Sequence, residues 1–594
     1  MALYPINDSE ERPMYLKTSF RKATGRTYLV LAQKYRDPQT GVLRDRTVKS
    51  LGYLDELEKT YDDPIAYFQE EARRLTEEEN QSKFVSFEID MDETLPEGVQ
   101  GTKNLGYSIP LKVYHELGLA SFLKNKARNC KFRFNTNSIM ILLVISRLLA
   151  PGSKKKAWEE KDRYFERFNF SVDDVYRSLS HFHKISEDLQ RFLYESVRTK
   201  YGSDTSTIYY DVTNYYFEIE KPDELIKFGK PKQNRKKPVV QMGLAMDKDG
   251  IPIHYELFPG NKLDKETFRS VIGEVRRNYD TGRVIVVADM GIVTGDNIYY
   301  LVGSKPEKPR NGYVFSFSIR GGAQPFRKYV LDEAGYTDMA GAKPTEDTDF
   351  KLKNRVTQRD INVTMKSGKT EKKTVYEKQV VFWSKKYFLK ARAERNEVLA
   401  KAEALINEPQ KFTKATSYGA AAYVNNLEYD KKTGEILETG KSLSLNQAKI
   451  AREEKYDGYY AIVTSELYMS PFEVIDTYRG LWEIEETFKI TKSDLETRPV
   501  YVRDHDHINA HFLTCFIALT ILRLIQKKTG RMYSAPALIE CLNNIECMSE
   551  YENIYLFGYR SKLSDALGNA FGIDLTKKRL RLREIKKILG DVKK

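Results

Sequence analysis

Cysteine is scarce and dispersed: Cys130, Cys515, Cys541 and Cys547 are the four in 594 residues, and none forms a C-x-x-C pair. A disulfide framework is excluded, and a reducing, intracellular setting is expected. Long hydrophobic runs are lacking too. The longest, IMILLVISRLLA from Ile139, is interrupted by Arg147 and falls short of the roughly 20 residues of a membrane span, and Met1 opens no signal peptide. A soluble cytoplasmic protein with no membrane partner is expected. KSGK and GDVKK lack the G-x4-G-K-S/T frame, so no nucleotide cofactor is expected. There is no internal repeat, and lysine runs are the only compositional bias.

What the chain has is positive charge and aromatic surface. Its 97 Lys+Arg against 84 Asp+Glu leave +13, and 12% of residues are aromatic. Phosphate attraction can thus combine with base stacking, which makes nucleic acid the leading partner class. On charge alone, a merely basic soluble protein fits as well. The length predicts three or four structural units at about 100 to 200 residues each.

Residues 1–90 read as a β-rich N-terminal module expected to bind DNA ends, with strands in RTYLVLAQKYRD and RTVKSLGYL and a turn at DPQTG. Residues 91–105 read as a linker. Apolar residues at helical spacing then mark residues 106–200 as a helical domain for DNA binding or dimerisation. Within it, SKKKAW and DDVYRSLSHF fit a helix-turn-helix or, with no clear turn signature, a plain bundle. Residues 201–320 read in order as strand, hairpin, helix and strand. TIYYDVTNYYFE is followed by two β-rich runs around DKDG, by DKETFRSVIGEVRRNY, and by the continuously apolar RVIVVAD, which is expected to be central in an α/β sheet. Residues 321–457 read as a mostly β insertion, residues 458–530 as the resumed α/β core, and residues 531–594 as a helical, basic C-terminal region.

Asp211 and Asp289 are each read as closing a strand, a position where reactive groups gather in open α/β sheets but where turn-capping aspartates are also common. A third carboxylate comes from YRGLWEIEETFKITKSDL, residues 478–495, read as one helix. A wheel at 100° per residue places Leu481, Ile484 and Phe488 on an apolar flank and sends Glu483 and Glu486 toward solvent. Glu485 falls at the edge of the buried face, aligned with Tyr478 and Lys492 and beside Trp482 and Lys489. Two roles fit it: a site ligand, or an i,i+4 pair with Lys489.

The succession YYDVTNYYFE, GIPIHYELFPGN, VVADMGI and Y-x-x-x-W-x-I-E-E-x-F-K-x-x-K followed by RPVYV resembles bacterial insertion-sequence transposases of the DDE class. It looks most like the branch with a Tyr-Arg-Glu-Lys signature, Y-x2-R-x3-E-x6-K, and the match covers residues 200–530. The resemblance implies a ribonuclease H-like core interrupted by a β-rich insertion before its last acidic residue. Asp289 and Glu485 are 196 positions apart, against 78 between Asp211 and Asp289, which leaves room for that insertion. It implies that Asp211, Asp289 and Glu485 are catalytic and hold two Mg²⁺ ions, with Mn²⁺ as a substitute. It also implies cleavage of element ends, their joining to target DNA, and at least a homodimer in the DNA complex. A nuclease or resolvase without strand transfer, and a non-catalytic DNA-binding derivative, are the alternatives.

Tyr478, Glu485 and Lys492 match the signature, whereas Leu481 occupies its arginine position and Arg479 is the nearest substitute. Tyr478, Arg479, Trp482, Lys489 and Lys492 are expected at the DNA end. Lys236 and Lys237 of the basic loop KFGKPKQNRKKP are expected on the phosphate backbone. By resemblance, Tyr460 is expected to stack on a flipped base, although a buried strand tyrosine is the alternative. His507, His511 and Cys515 share a helical face without a fourth ligand, and a structural role is expected for them.

Overall fold

Alternating apolar and polar residues near the N-terminus form the antiparallel meander β1 (Tyr15–Arg21), β2 (Arg26–Arg36) and β3 (Leu43–Tyr53), with Leu29 and Leu31 fully buried. In this computed structural model residues 13–22, 25–36, 43–81, 92, 94, 101–218, 222–229, 237–304, 309–365, 367–409, 419–429, 435–437, 442–551 and 553–594 are described. The turn read at DPQTG lies outside them. After α1 (Leu54–Leu57), α2 (Pro64–Gln81) packs on the meander with Phe68 and Ala72 on its buried side.

Within the stretch read as a linker, β4 (Thr102–Asn104) is a strand that pairs with a segment near the C-terminus. A bundle follows: α3 (Ser108–Glu116), α4 (Leu119–Ala127), α5 (Thr136–Leu149), α6 (Lys154–Glu159), α7 (Val172–Lys184) and α8 (Ser186–Tyr201). Side-chain caps from Asn135, Ser153 and Ser171 set the starts of α5, α6 and α7. Residues 160–171 separate α6 from α7, longer than the three- or four-residue turn of a helix-turn-helix. Arg147, which interrupts the apolar run in α5, is itself buried and donates to the carbonyls of Gly152, Leu495 and Glu496.

The core strands are β5 (Thr207–Tyr216), β6 (Val239–Met246), β7 (Pro252–Pro259), β8 (Ile285–Ala288) and β9 (Gly312–Ser316). They lie in the order β9-β8-β5-β6-β7, with β5, β6 and β7 antiparallel and both β5–β8 and β8–β9 parallel. This is the ribonuclease H-like arrangement. Gly250, at φ 67, closes the DKDG turn between β6 and β7, where a left-handed residue is needed. One face of the sheet, with Ile208, Tyr210, Val286 and Phe315, packs under α9 (Asp264–Asn278) and α10 (Gly295–Val302). The other, with Tyr209, Tyr215, Val287 and Val314, belongs to the same core as α5 and the C-terminal helices. RVIVVAD is apolar throughout because β8 is covered on both sides.

Past β9 and α11 (Gln324–Leu331), the long hairpin of β10 (Phe350–Thr364) and β11 (Thr370–Ser384) does not close on itself. Together with α12 (Lys385–Asn407), the small pair β12 (Val424–Asn425) and β13 (Ser444–Leu445), and α13 (Gln447–Glu454), it leads to β14 (Tyr459–Thr464), which pairs with both β11 and β9. The inserted hairpin thereby extends the core sheet to eight strands. Glu377 of β11 is fully buried and held by Arg359 of β10 at 2.8 and 2.9 Å, and by Tyr313 and Gln379.

The chain then forms α14 (Pro471–Arg479), α15 (Trp482–Lys489) and α16 (His505–Lys528). By length and composition α16 could cross a membrane, contrary to the expectation that no segment reaches that length. It is instead a core helix packed on α5 and α7, with 94% of its apolar window buried. The segment from 531 onward is not wholly helical. Around α17 (Ala535–Asn544), α18 (Lys562–Phe571) and α19 (Leu582–Asp591), the strands β15 (Glu546–Tyr551), β16 (Ile554–Phe557) and β17 (Arg579–Arg581) form a sheet with β4, in the order β17-β16-β15-β4. This pairing joins residues 102–104 to the C-terminal region and has no local sequence pattern to announce it.

Replacing Arg359 with Ala leaves the Glu377 carboxylate buried without its counter-charge. A loss of about 3–5 kcal/mol is expected, read as a lower urea midpoint for Arg359→Ala than for the parent.

Candidate active site

Asp211 lies in the middle of β5, not at its end as the sequence suggested, because the strand continues through TNYY to Tyr216. Asp289 directly follows β8. The parallel register pairs Tyr209 with Val287, and Asp211 and Asp289 each lie two residues past that pair on the adjacent chains of β5 and β8. Alternation puts both on the face that carries Tyr209 and Val287, toward α14 and α15.

Asp289 is held by hydroxyls. Ser316, buried at the end of β9, donates its Oγ hydrogen to Asp289 Oδ1 at 2.6 Å, and Tyr478 Oη donates to the same oxygen at 3.3 Å. Tyr460 on β14 meets the Tyr478 hydroxyl at 2.8 Å. Burial and the neighbouring Tyr460 push the Tyr478 phenol far up, which keeps it protonated and able to donate. Tyr460 is half-buried, with its ring packed among Phe382, Tyr387 and Tyr478.

YRGLWEIEETFKITKSDL is not one helix. α14 ends at Arg479, Gly480 and Leu481 form a turn, α15 follows, and a π-helical turn spans Ile490–Asp494. The cause of the break comes from another strand. Tyr209 Oη donates to the carbonyl of Thr477 at 3.2 Å, and a Cβ on residue 480 would lie 2.0 Å from that hydroxyl. Any larger residue there would require the Tyr209 ring to shift. Leu481, at the signature's arginine position, is buried. Arg479 is exposed and 3.4 Å from Asp476.

The three glutamates divide differently from the wheel's assignment. Glu483 is 9% exposed and held by Arg531 at 3.1 Å, with Arg523 at 3.7 Å. Glu486 takes Arg523 at 2.9 Å, and the same guanidinium reaches the Glu483 carbonyl and the Thr487 hydroxyl. Arg523, itself buried on α16, turns what the wheel read as a solvent face inward. Glu485 is exposed and, among the described residues, makes no hydrogen bond or ion pair, so the pair with Lys489 is not formed. At the far end of the segment Lys492 Nζ donates to Thr213 Oγ1, two residues beyond Asp211 on β5. The stretch therefore lies over the central strands of the sheet, with Tyr478 at Asp289 and Lys492 at Thr213, two residues past Asp211, and Glu485 lies midway between Tyr478 and Lys492 in sequence.

Trp482 and Lys489 are exposed on α15. Lys237 pairs with Glu218 and lies 5.6 Å from the Tyr216 ring. Lys236 lies outside the described residues. His511 is buried, with its Nε2–H on the Thr497 carbonyl at 3.0 Å and Nδ1 accepting from Lys154 at 2.8 Å. Burial pushes Lys154 down to about 7 and His511 well below its usual range.

Two carboxylates on adjacent strands offer hard oxygen donors of the kind that Mg²⁺ takes, so the donor chemistry fits such an ion. Among the described residues no three His, Cys, Asp or Glu side chains converge into a group that could hold a metal, so Glu485 is not gathered with the aspartates here. Ser316, Tyr209 with Gly480, and Arg523 escaped the sequence reading. A lone serine closing an apolar strand, a strand tyrosine and an arginine inside an apolar helix carry no local signal.

The family described as "Transposase DDE domain" matches residues 217–521, and that described as "IS1634 family transposase, N-terminal domain" matches residues 16–86. No curated protein matches. Among solved structures the chain is similar to the Mos1 transposase paired-end complex with left transposon end, at 12% identity and a TM-score of 0.11, over 40% of this chain and 64% of that one. It thus spans less than two thirds of that protein's length.

Gly480→Ala forces a methyl group onto the Tyr209 hydroxyl. An overpacking cost of about 1–3 kcal/mol is expected, measured by urea unfolding against an alanine substitution at exposed Gly590, where a Cβ meets nothing within 4 Å.

Proposed function

The chain belongs to the DDE transposase family, and from that premise we propose that it binds the ends of an insertion sequence, cleaves them and joins them to target DNA in a cut-and-paste reaction. The observation that supports this reading is that Asp211 lies on β5 and Asp289 directly follows the adjacent parallel strand β8, while Glu485 on α15 is exposed and makes no hydrogen bond or ion pair among the described residues. In this proposal Asp211, Asp289 and Glu485 are the catalytic carboxylates and hold two divalent metals, Mg²⁺ or Mn²⁺. When bound, such a pair activates an oxygen nucleophile and relieves charge on the leaving oxygen.

The chain's own residues orient the reactants. Asp289 is fixed by Ser316 and Tyr478. Lys492, which donates to Thr213 two residues past Asp211, and exposed Lys489 attract the phosphates of the DNA end, and Arg479 at the end of α14 extends that basic surface. Attraction of a DNA end to α15 draws Glu485 toward the aspartates. Trp482, 55% exposed, offers a stacking surface worth about 1–3 kcal/mol per base. Tyr460 can serve a flipped base only if its packing against Phe382 and Tyr387 opens. Lys236 and Lys237 contribute to backbone binding from the basic loop. Coupled cutting of two ends calls for a homodimer on double-stranded DNA, acting on the DNA of a bacterial cytoplasm.

The test incubates the protein with labelled element-end DNA and a circular target in Mg²⁺, comparing the parent with Asp289→Ala. Joined product from the parent and none from the variant is expected. Cleavage without joining would indicate a nuclease, and binding without cleavage by either protein would indicate a non-catalytic DNA-binding protein.

A further inference from the structure

Ser316 has no place in the sequence signature, yet it makes a close contact to a proposed metal ligand. It is 1% exposed, at the last position of β9, one strand over from Asp289. Its Oγ lies 2.6 Å from Asp289 Oδ1, the oxygen that also accepts from Tyr478 at 3.3 Å. The hydrogens can be assigned in one direction throughout. Tyr460 donates to the Tyr478 oxygen at 2.8 Å, Tyr478 donates to Asp289, and Ser316 donates to the same carboxylate from the other side. Two donors on Oδ1 fix the rotation of the carboxylate about its Cβ–Cγ bond and leave Oδ2 without a hydrogen-bond partner among the described residues.

We propose that Ser316 is a positioning residue: it locks Asp289 so that Oδ2 is presented to a divalent cation between β5 and β8. The inference rests on the metal-binding role proposed above for Asp289. Outer-shell hydrogen bonds that orient a ligating carboxylate typically change metal affinity about 10–100-fold. Ser316 is suited to this because a serine on a rigid central strand has one rotatable bond before its hydroxyl, whereas Tyr478 arrives from a helix that ends one residue later.

The test is Mn²⁺ binding to the full chain, followed by electron paramagnetic resonance of the free ion, in parallel with urea unfolding. Ser316→Ala is expected to weaken Mn²⁺ binding about 10–100-fold at an unfolding midpoint that accounts for none of the loss, and Ser316→Thr, which restores a hydroxyl, to recover most of it. Should Ser316→Ala not fold, Ser316→Cys keeps the shape with a poor donor and is expected to show the same weakening. Parental affinity in the folded Ala or Cys variant overturns the proposal. Asp289→Asn separates the two readings. If it abolishes binding while Ser316→Ala leaves it intact, the Ser316 role alone fails. If the parent binds no Mn²⁺ that Asp289→Asn removes, the metal role of Asp289 fails, and that of Ser316 with it.

Discussion

The parallel pairing of β5 with β8 is the constraint on which the rest of the site depends. It brings the strand that carries Asp211 alongside the strand that Asp289 directly follows, although 77 residues of chain lie between the two aspartates. Parallel strands need covering on both sides, and the chain supplies it with α9 and α10 on one face and with the C-terminal helices and α5 on the other. The inserted hairpin adds to this frame by continuing the sheet through β14, which carries Tyr460 up to Tyr478 and so to Asp289.

The segment over the central strands is held from three directions. Tyr209 breaks it at Gly480, Arg523 grips α15 by two glutamates, a carbonyl and a threonine, and Arg147 holds the carbonyls of Leu495 and Glu496 beyond the π-helical turn. Both arginines are buried and come from helices that would pass for purely apolar. Their burial is tolerable because each guanidinium donates to several fixed acceptors, which offsets much of the desolvation. The consequence is chemical: of three neighbouring glutamates, two are neutralised in the scaffold and one is left outward.

The succession of β5 to β8 along the chain was legible in the sequence because each of these strands carries its own local signal, whereas β9, five residues long, was not read. DKDG between β-rich runs forms the expected hairpin, and the unbroken apolar run of RVIVVAD is the central strand. The features that were not legible depend on distant partners. β4 is three residues long and finds β15 more than 400 residues away. The wheel for residues 478–495 assumed an unbroken helix and treated charge as solvent-facing, but a tyrosine from β5 breaks the helix and an arginine from α16 reverses the polarity of Glu483. Periodicity counts apolar side chains and is blind to a buried ion pair whose other half lies elsewhere.

The central claim is that Glu485, alone of the three glutamates, completes the carboxylate set. The most direct measurement is Mg²⁺-dependent cleavage of element-end DNA by the three single variants Glu483→Gln, Glu485→Gln and Glu486→Gln, each with its urea midpoint. Glu485→Gln should abolish cleavage at parental stability, whereas Glu483→Gln and Glu486→Gln should lower stability and keep measurable cleavage. Cleavage at the parental rate by folded Glu485→Gln would contradict the account.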